Sequence, residues 1–158
     1  MEHHKHKLIG ELLVEKGRLN SSKLEEALKK QKEAGLAGSR RKIGEILTEL
    51  GYAEDTDVAE ALSLQLNIPY VKLEKQVFNP EIVSLISEDF ARRHELIALS
   101  KQGDTLTIAM ANPENVSVID DLRMITGCRI KPVICTQSAV KFALSKHYGA
   151  YGTSTELV

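Results

Sequence analysis

The sequence lacks any long apolar run, and this absence excludes a membrane-spanning helix. No stretch of about 18 consecutive apolar residues occurs anywhere in the chain. The opening residues, MEHHKHKLIG, contain no apolar segment that resembles a signal peptide. We therefore expect a cytoplasmic protein that does not insert into a membrane directly.

The chain also lacks an excess of charge of either sign. Its 21 Lys and Arg residues are balanced by 22 Asp and Glu residues, which gives a formal net charge of -1. A protein that holds a nucleic acid backbone needs a basic stripe or patch on its surface. We therefore expect no nucleic acid polymer among its partners.

Cysteine is scarce, and the two that occur do not suggest a disulfide. Cys128 and Cys135 lie within the segment CRIKPVIC. A strand over this segment places residues seven positions apart on opposite faces, so the two thiols are poor disulfide partners. We interpret both as reduced thiols that fill space in the core or at its edge.

Catalytic motifs are missing as well. The sequence has no GxxxxGK[ST] phosphate-binding pattern and signals no Ser/His/Asp or Cys/His pairing. The histidine-rich stretch HHKH at residues 3–6 lies near a terminus, where such a cluster is usually mobile rather than a metal site. We therefore expect no enzymatic activity, no catalytic residue, no metal and no cofactor.

The pattern of apolar residues changes near residue 70. Before it, apolar residues recur at three- and four-residue spacing in segments 8–16, 21–34, 42–50 and 55–66, which is typical of amphipathic helices. After it, strand-like and helical segments alternate. The sequence predicts an α+β fold with a helical subdomain over residues 1–69, an α+β subdomain over residues 70–149 and a flexible tail over residues 150–158.

The elements of the second subdomain can be placed from their patterns. PYVKL is typical of a short strand, PEIVSLISEDFARRH of a helix, and LIALSKQGDTLTIAMA of a hairpin that turns at Gly103 and Asp104. The helical segment VSVIDDLRMIT, the strand RIKPVIC and the helix SAVKFALSKHYG follow. We expect these strands to form a mainly antiparallel sheet of three or four strands.

The helical half contains an internal repeat. The segment IGELLVEKG at residues 9–17 returns as IGEILTELG at residues 43–51, and an offset of 34 residues aligns ten identical pairs. We interpret this half as a tandem helix-turn-helix repeat that arose by duplication. The identical pairs are Ile9/Ile43, Gly10/Gly44, Glu11/Glu45, Leu13/Leu47, Glu15/Glu49, Gly17/Gly51, Glu26/Glu60, Ala27/Ala61, Leu28/Leu62 and Gln31/Gln65.

Each copy ends in an apolar stripe that is followed by a glutamine. In the first copy Leu24, Leu28 and Gln31 lie along one face of a helix, and the second copy repeats this spacing. A carboxamide beside an apolar surface can read the edge of a stacked base, and the Ile-Gly pair that begins each copy lets an anion approach the helix start. Such a surface would accommodate a nucleotide. The alternative is that the leucines only fill a core and the glutamines are solvated or cap a helix.

Both copies resemble the tandem motif of the MshE N-terminal (MshEN) domain family, which begins with Arg-Leu-Gly and ends with Leu-x-x-x-Leu-x-x-Gln. Residues 70–149, including EDFARRHELIALSKQGDTLTIAMANPENVSVIDDLRMITG, resemble the rest of the N-terminal region of type II secretion and type IV pilus assembly ATPases. The resemblance implies a cytoplasmic regulatory module whose two motifs each bind half of one cyclic di-GMP molecule. Its usual context is a hexameric assembly ATPase.

The motif positions of the family carry over to both copies of the repeat. Where the family has Arg, this chain has Leu8 in the first copy and Lys42 in the second, and lysine lacks the planar fork of arginine. The resemblance implies that the ligand-binding residues are Ile9, Gly10, Leu13, Leu24, Leu28, Gln31, Lys42, Ile43, Gly44, Glu45, Leu47, Val58, Leu62 and Gln65.

Two functions are open at this point. The leading hypothesis is a cyclic di-GMP receptor coupled to secretion or pilus assembly, and the retained Gln31 and Gln65 favour it. The alternative is a protein-docking adaptor that anchors the assembly ATPase to an inner-membrane platform protein without binding nucleotide, and Leu8 favours it. In both cases the expected protein partner is the ATPase domain or the platform protein, through which the chain would be peripheral at the inner membrane.

Overall fold

A computed structural model describes residues 8–39 and 41–149 of the chain. These residues belong to two compact units that divide between Ile68 and Pro69. The first unit is helical and the second combines helices with a sheet, so the predicted α+β fold class is confirmed. The tail over residues 150–158 and the histidine-rich stretch at residues 3–6 lie outside the described residues. The subdomain boundaries at residues 69 and 149 stay predictions.

The helical unit repeats a short helix, a turn and a longer helix. Gly17 and Gly51 lie in the turns that follow the short helices, with φ values of +75° and +76°, a conformation that L side chains rarely adopt. The four helices are α1 (Ile9–Glu15), α2 (Ser21–Leu36), α3 (Ile43–Glu49) and α4 (Asp55–Leu66).

The longer helices begin where a side chain satisfies a free backbone N–H group. The side chain of Asn20 accepts a hydrogen bond of 2.8 Å from the N–H of Lys23, and α2 begins at the next residue. At the start of α4 the carboxylate of Asp57 accepts a bond of 3.2 Å from the N–H of Glu54. The two starts are therefore fixed by side chains at different positions of the repeat, because the offset of 34 residues relates Asn20 to Glu54 and Lys23 to Asp57.

The two copies interlock to form one core. α1 packs against α4 and α2 packs against α3, so the first helix of each copy contacts the second helix of the other copy. This arrangement buries apolar residues that a single copy would leave exposed. The buried residues of this core are Leu12, Leu13, Leu19, Ala27, Ile46, Leu47, Ala53 and Ala61.

The α+β unit has a longer series of elements. Its described elements are a 3-10 helix (Leu73–Lys75), α5 (Pro80–Val83), α6 (Glu88–His94), β1 (Leu96–Gln102), β2 (Thr105–Met110), α7 (Val116–Thr126), β3 (Arg129–Ile134), α8 (Gln137–Leu144) and a π-helical segment (Ser145–Gly149). The hairpin β1–β2 turns at Gly103 and Asp104 as predicted, and Gly103 has a φ of +60°. The apolar face of the sheet, the inner faces of α7 and α8 and the loop that begins the unit together form its core.

The sheet is mixed, which differs from the mainly antiparallel sheet that the sequence predicts. Its three strands lie in the order β1-β2-β3. β1 pairs antiparallel with β2, whereas β2 pairs parallel with β3 from Thr105↔Arg129 to Met110↔Ile134. Because α7 carries the chain from the end of β2 back to the start of β3, the two strands run in the same direction.

Two further elements differ from the sequence prediction. The segment PYVKL contributes only one bridge, in which Tyr70 pairs with Ile134, before the chain turns into the 3-10 helix and buries Leu73. The predicted single helix over residues 80–94 is divided into α5 and α6. Ser87 has an extended backbone, and its hydroxyl oxygen accepts a bond of 3.2 Å from the N–H of Phe90, which starts a new helix.

Candidate ligand site

The predicted ligand-binding residues all lie in the helical unit, at three depths. Gly10, Leu13, Gly44 and Leu47 are buried, so they form part of the core between the helices. The half-buried residues are Ile9, Leu24, Gln31, Ile43, Val58, Leu62 and Gln65. The exposed residues are Leu28, Lys42 and Glu45. The apolar stripes therefore lie partly open at the surface.

Gly10 and Gly44 permit close helix packing. A Cβ atom at Gly10 would lie 2.4 Å from Leu24 Cδ1, and one at Gly44 would lie 2.7 Å from Val58 Cγ1. Both distances are shorter than real Cβ contacts, so a larger residue at either position would force the facing side chain to shift where α1 lies against α2 and α3 against α4. Close helix packing therefore explains why glycine occurs at positions 10 and 44, independently of any anion that approaches them.

Glutamates satisfy the first N–H group at both short helices. Glu11 Oε1 accepts a bond of 3.0 Å from the N–H of Leu8, and Glu45 Oε1 accepts one of 3.1 Å from the N–H of Lys42. A carboxylate in the first turn is also favourable toward the positive end of the helix. Glu45, which the family resemblance places in the ligand site, is therefore a helix cap in this structure.

Gln31 joins the two copies of the repeat. Its Nε2 atom donates a hydrogen bond of 2.9 Å to the carbonyl oxygen of Arg41, a residue that immediately precedes the second motif. The side chain is half-buried, so this bond is partly shielded from water. The glutamine that ends the first motif consequently lies beside the residues that begin the second.

Arg41 is fixed by a second contact. Its Nη2 atom donates to Glu49 Oε2 at the end of α3. This hydrogen bond lowers the pKa of the Glu49 carboxyl and raises the pKa of the Arg41 guanidinium. Neither Arg41 nor Glu49 was among the predicted ligand-binding residues. The sequence feature that could have pointed to Glu49 is its identity with Glu15 at the equivalent position of the first copy.

The α+β unit contains a small cavity with mainly polar lining residues. The cavity has a volume of about 160 Å³ and is lined by Arg93, His94, Glu95, Met110, Asn112, Asn115 and Val118. Ligand pockets for drug-sized molecules are larger, roughly 300–1,000 Å³. Within the described ranges no group of three or more His, Cys, Asp or Glu side chains is arranged to hold a metal ion. Nor does any helix there have the length and apolar character needed to cross a membrane.

The chain thus combines a duplicated four-helix unit, whose apolar stripes lie partly open, with a small α+β unit that has a mixed sheet. The model of the MshEN domain family matches residues 66–153, which is more than half of the chain. The chain belongs to the MshEN domain family. The matched range corresponds to the α+β unit, and the repeat precedes it.

Relatives among well-characterised proteins are much longer than this chain. The chain is 28% identical over 148 residues to the type IV pilus assembly ATPase PilB of Myxococcus xanthus, covering 94% of this chain and 25% of that protein. It is 29% identical over 148 residues to PilB of Thermus thermophilus, covering 92% of this chain and 16% of that protein. The chain therefore spans a quarter or less of the length of these relatives.

Solved structures with the same fold include the helical unit. A structure of MshE with cyclic di-GMP (cdg) matches with a TM-score of 0.75 and 30% identity, covering 90% of this chain and all of that chain. The N-terminal domain of XpsE matches with a TM-score of 0.71 and 24% identity, covering 89% of this chain and 94% of that chain, and shows the shared fold alone. Because each match leaves only about a tenth of this chain uncovered, both extend across the repeat.

Proposed function

We propose that the chain is a cyclic di-GMP-binding regulatory module of a type II secretion or type IV pilus assembly ATPase system. The observation that carries this proposal is its similarity, at 30% identity over nearly its whole length, to a structure of MshE with cyclic di-GMP. The duplicated helical unit is part of that similarity. A ligand made of two equal halves matches a unit made of two equal copies.

The half-open stripes of the repeat would form the binding surface. Leu24 and Leu28 in the first copy, and Val58 and Leu62 in the second, would supply apolar contact to the guanine rings. Base stacking and edge contacts of this type are each worth about 1–3 kcal/mol. Gln31 and Gln65 follow these stripes, so each amide can contact a base edge. Leu13 and Leu47 would support the surface from the core.

The role in the ATPase system is regulatory in this proposal. The relatives are assembly ATPases, and this chain corresponds to a part of them without a phosphate-binding GxxxxGK[ST] pattern. We assign ATP hydrolysis to the rest of such a system and ligand sensing to this cytoplasmic module, without a cofactor of its own. Its protein partner would be the ATPase domain or an inner-membrane platform protein.

Titration calorimetry with purified chain tests the proposal. Cyclic di-GMP should bind at one molecule per chain, and GTP, GMP and cyclic di-AMP should compete poorly because they lack two correctly spaced guanines. Turnover of cyclic di-GMP should be absent. If high micromolar cyclic di-GMP gives neither heat nor saturation, the chain is not a receptor for it.

A docking adaptor is the second candidate, and exposed apolar side chains on α7 favour it. Val116 is 65% exposed, Met124 is 84% exposed and Ile125 is 53% exposed. Met124 and Ile125 are neighbours on α7, and exposed large apolar residues that lie side by side can mark a protein interface. Binding of the cytoplasmic part of a platform protein, measured without nucleotide and weakened by Met124→Asp, would support this function. Unchanged binding by Met124→Asp would exclude α7 as the docking surface.

A further inference from the structure

We propose that Arg41 is the anion-binding side chain of the ligand site and that Glu49 positions its guanidinium group. This inference rests on the proposed function, because the anion is the phosphodiester of cyclic di-GMP. Arg41 lies outside the motif positions that the family resemblance assigns. Its role follows from three contacts and from the charges around it.

The backbone of Arg41 is fixed beside a predicted base-contacting residue. Gln31 Nε2 donates to the Arg41 carbonyl oxygen at 2.9 Å, which ties the linker to the C-terminal half of α2. The next residue, Lys42, begins the second motif and its N–H donates to Glu45. These two hydrogen bonds hold the backbone of Arg41 and Lys42, so the position from which the Arg41 side chain extends is fixed.

One contact orients the Arg41 guanidinium and leaves its other N–H groups available to a ligand. Glu49 accepts from Nη2, and no other side-chain partner of this guanidinium occurs among the residues that the structure describes. The Arg41 side chain is 32% exposed, so its remaining N–H groups can reach a ligand from solvent. A planar guanidinium donates two parallel hydrogen bonds to a phosphate and loses little freedom when another group already holds it.

Neighbouring charges make a cation necessary at this site. Glu45 and Glu49 are both close enough to influence the Arg41 charge, and Glu11 caps the equivalent helix of the first copy. A ligand with two phosphodiester charges would be repelled by these carboxylates without a compensating cation. Leu8 has no charge, Lys42 carries a charge without the planar fork of arginine, and the guanidinium of Arg18 is paired with Asp57. Arg41 thus supplies a guanidinium beside the second motif that can balance the charge of the ligand.

The first experiment compares Arg41 variants in cyclic di-GMP titrations. Arg41→Ala should weaken binding by about ten- to hundred-fold, because a hydrogen bond to a charged group is lost. Arg41→Lys keeps the charge without the fork and should recover only part of the affinity. Arg18→Ala is the matched control, since it also removes one arginine and one ion pair from the helical unit, and it should leave the affinity unchanged. Circular dichroism of each variant confirms folding.

The second experiment tests the role of Glu49. If Glu49 acts by positioning Arg41, Glu49→Gln should weaken binding in the wild-type background and have no further effect in the Arg41→Ala background. Arg41→Ala should also reduce the dependence of affinity on salt, which a purely structural role would not change.

The outcomes separate this inference from the proposed function. Wild-type binding together with an Arg41→Ala affinity within about two-fold of wild type would overturn the role of Arg41 and leave the receptor function intact. Tighter binding by Glu49→Gln would show that Glu49 competes with the ligand and would overturn its positioning role. Absence of binding by the wild type would overturn both the inference and the function.

Discussion

Arg18 and Asp57 form an ion pair between the two copies of the repeat, with 3.4 Å between Nη1 and Oδ1. The offset of 34 residues relates Arg18 to Tyr52 and Lys23 to Asp57. Lys23 in turn lies over the ring of Tyr52, with its Nζ atom 5.1 Å from the ring centroid. The position of Arg18 and Tyr52 in one copy therefore contacts the position of Lys23 and Asp57 in the other copy, and this happens twice, although all four residue types differ. The copies are related by an approximate two-fold arrangement, which identical residues alone could not establish.

The first prediction concerns the inner member of this ion pair. Asp57→Ala should lower the free energy of unfolding by about 1–2 kcal/mol, because Asp57 also accepts the N–H of Glu54 at the start of α4. The ion pair adds little, since 57% of the Arg18 side chain is exposed to solvent. Urea denaturation measures the change. Lys23→Ala, at the equivalent position, is the control and should cost less than about 0.5 kcal/mol. Equal effects of the two variants would contradict the capping role.

The second prediction ranks the two buried glycines. Gly44→Ala should destabilise the helical unit more than Gly10→Ala, although the added Cβ lies closer to its neighbour at Gly10. Leu24 can move its flexible end away from the new methyl group, whereas Val58 branches at Cβ and has little rotamer freedom. Overpacking of this kind costs about 1–3 kcal/mol.

Thermal unfolding of both glycine variants measures this ranking. The double variant Gly44→Ala/Val58→Ala should recover part of the lost stability, because it removes the clashing methyl group. A larger loss for Gly10→Ala, or no recovery in the double variant, would show that the packing argument is wrong.

The sequence predicted those features that depend on local pattern. The helices of the repeat, the hairpin turn at Gly103 and the extent of α7 follow from apolar spacing and from turn residues. The parallel pairing of β2 with β3 was missed because strand direction depends on where α7 packs, and no local pattern records that. Arg41 and Glu49 were missed for a similar reason, since they are eight residues apart and meet only after α3 has formed.

The third prediction uses the exposure of Leu28. Leu28 is 43% exposed, so Leu28→Asp should keep the fold yet abolish cyclic di-GMP binding by removing the apolar platform. Leu36→Asp is the matched control, because Leu36 is 82% exposed at the end of the same helix and lies outside the motif. Calorimetry measures binding and circular dichroism measures helix content. Equal binding by both variants would remove Leu28 from the site.

The fourth prediction concerns the buried thiol of Cys135. Burial, with a smaller effect from the Glu95 charge, raises the pKa of this thiol from its ordinary value of 9.0 to about 12. A thiol with a raised pKa in the folded state contributes stability below pH 9, and this stability is lost as the pH rises toward 12. Wild type should therefore lose more stability than Cys135→Ala between these values, as urea denaturation would measure. Parallel pH profiles for the two proteins would contradict this.

The same burial predicts slow chemical modification. The structure shows Cys128 and Cys135 as free and buried. In the folded protein at pH 8 a thiol reagent should modify Cys135 slowly, because almost none of it is thiolate and the reagent cannot reach it. Addition of urea above the unfolding midpoint should expose both thiols at once. Rapid labelling of Cys135 in the native protein would show that this part of the α+β core opens readily.

The last prediction concerns Leu8, the residue at which the first copy departs from the family motif. Leu8 is 63% exposed, so Leu8→Arg should fold normally and place a guanidinium at the start of α1. If cyclic di-GMP lies across both motifs, this group can supply a charge-assisted hydrogen bond to phosphate or guanine, and the affinity should rise by about ten-fold. Leu8→Gln adds polarity without charge and serves as the control. Calorimetry measures the affinities. If Leu8→Arg binds more tightly than wild type and Leu8→Gln does not, the first motif lies at the ligand. If wild type binds and Leu8→Arg has the same affinity, the anion contacts are confined to the second motif.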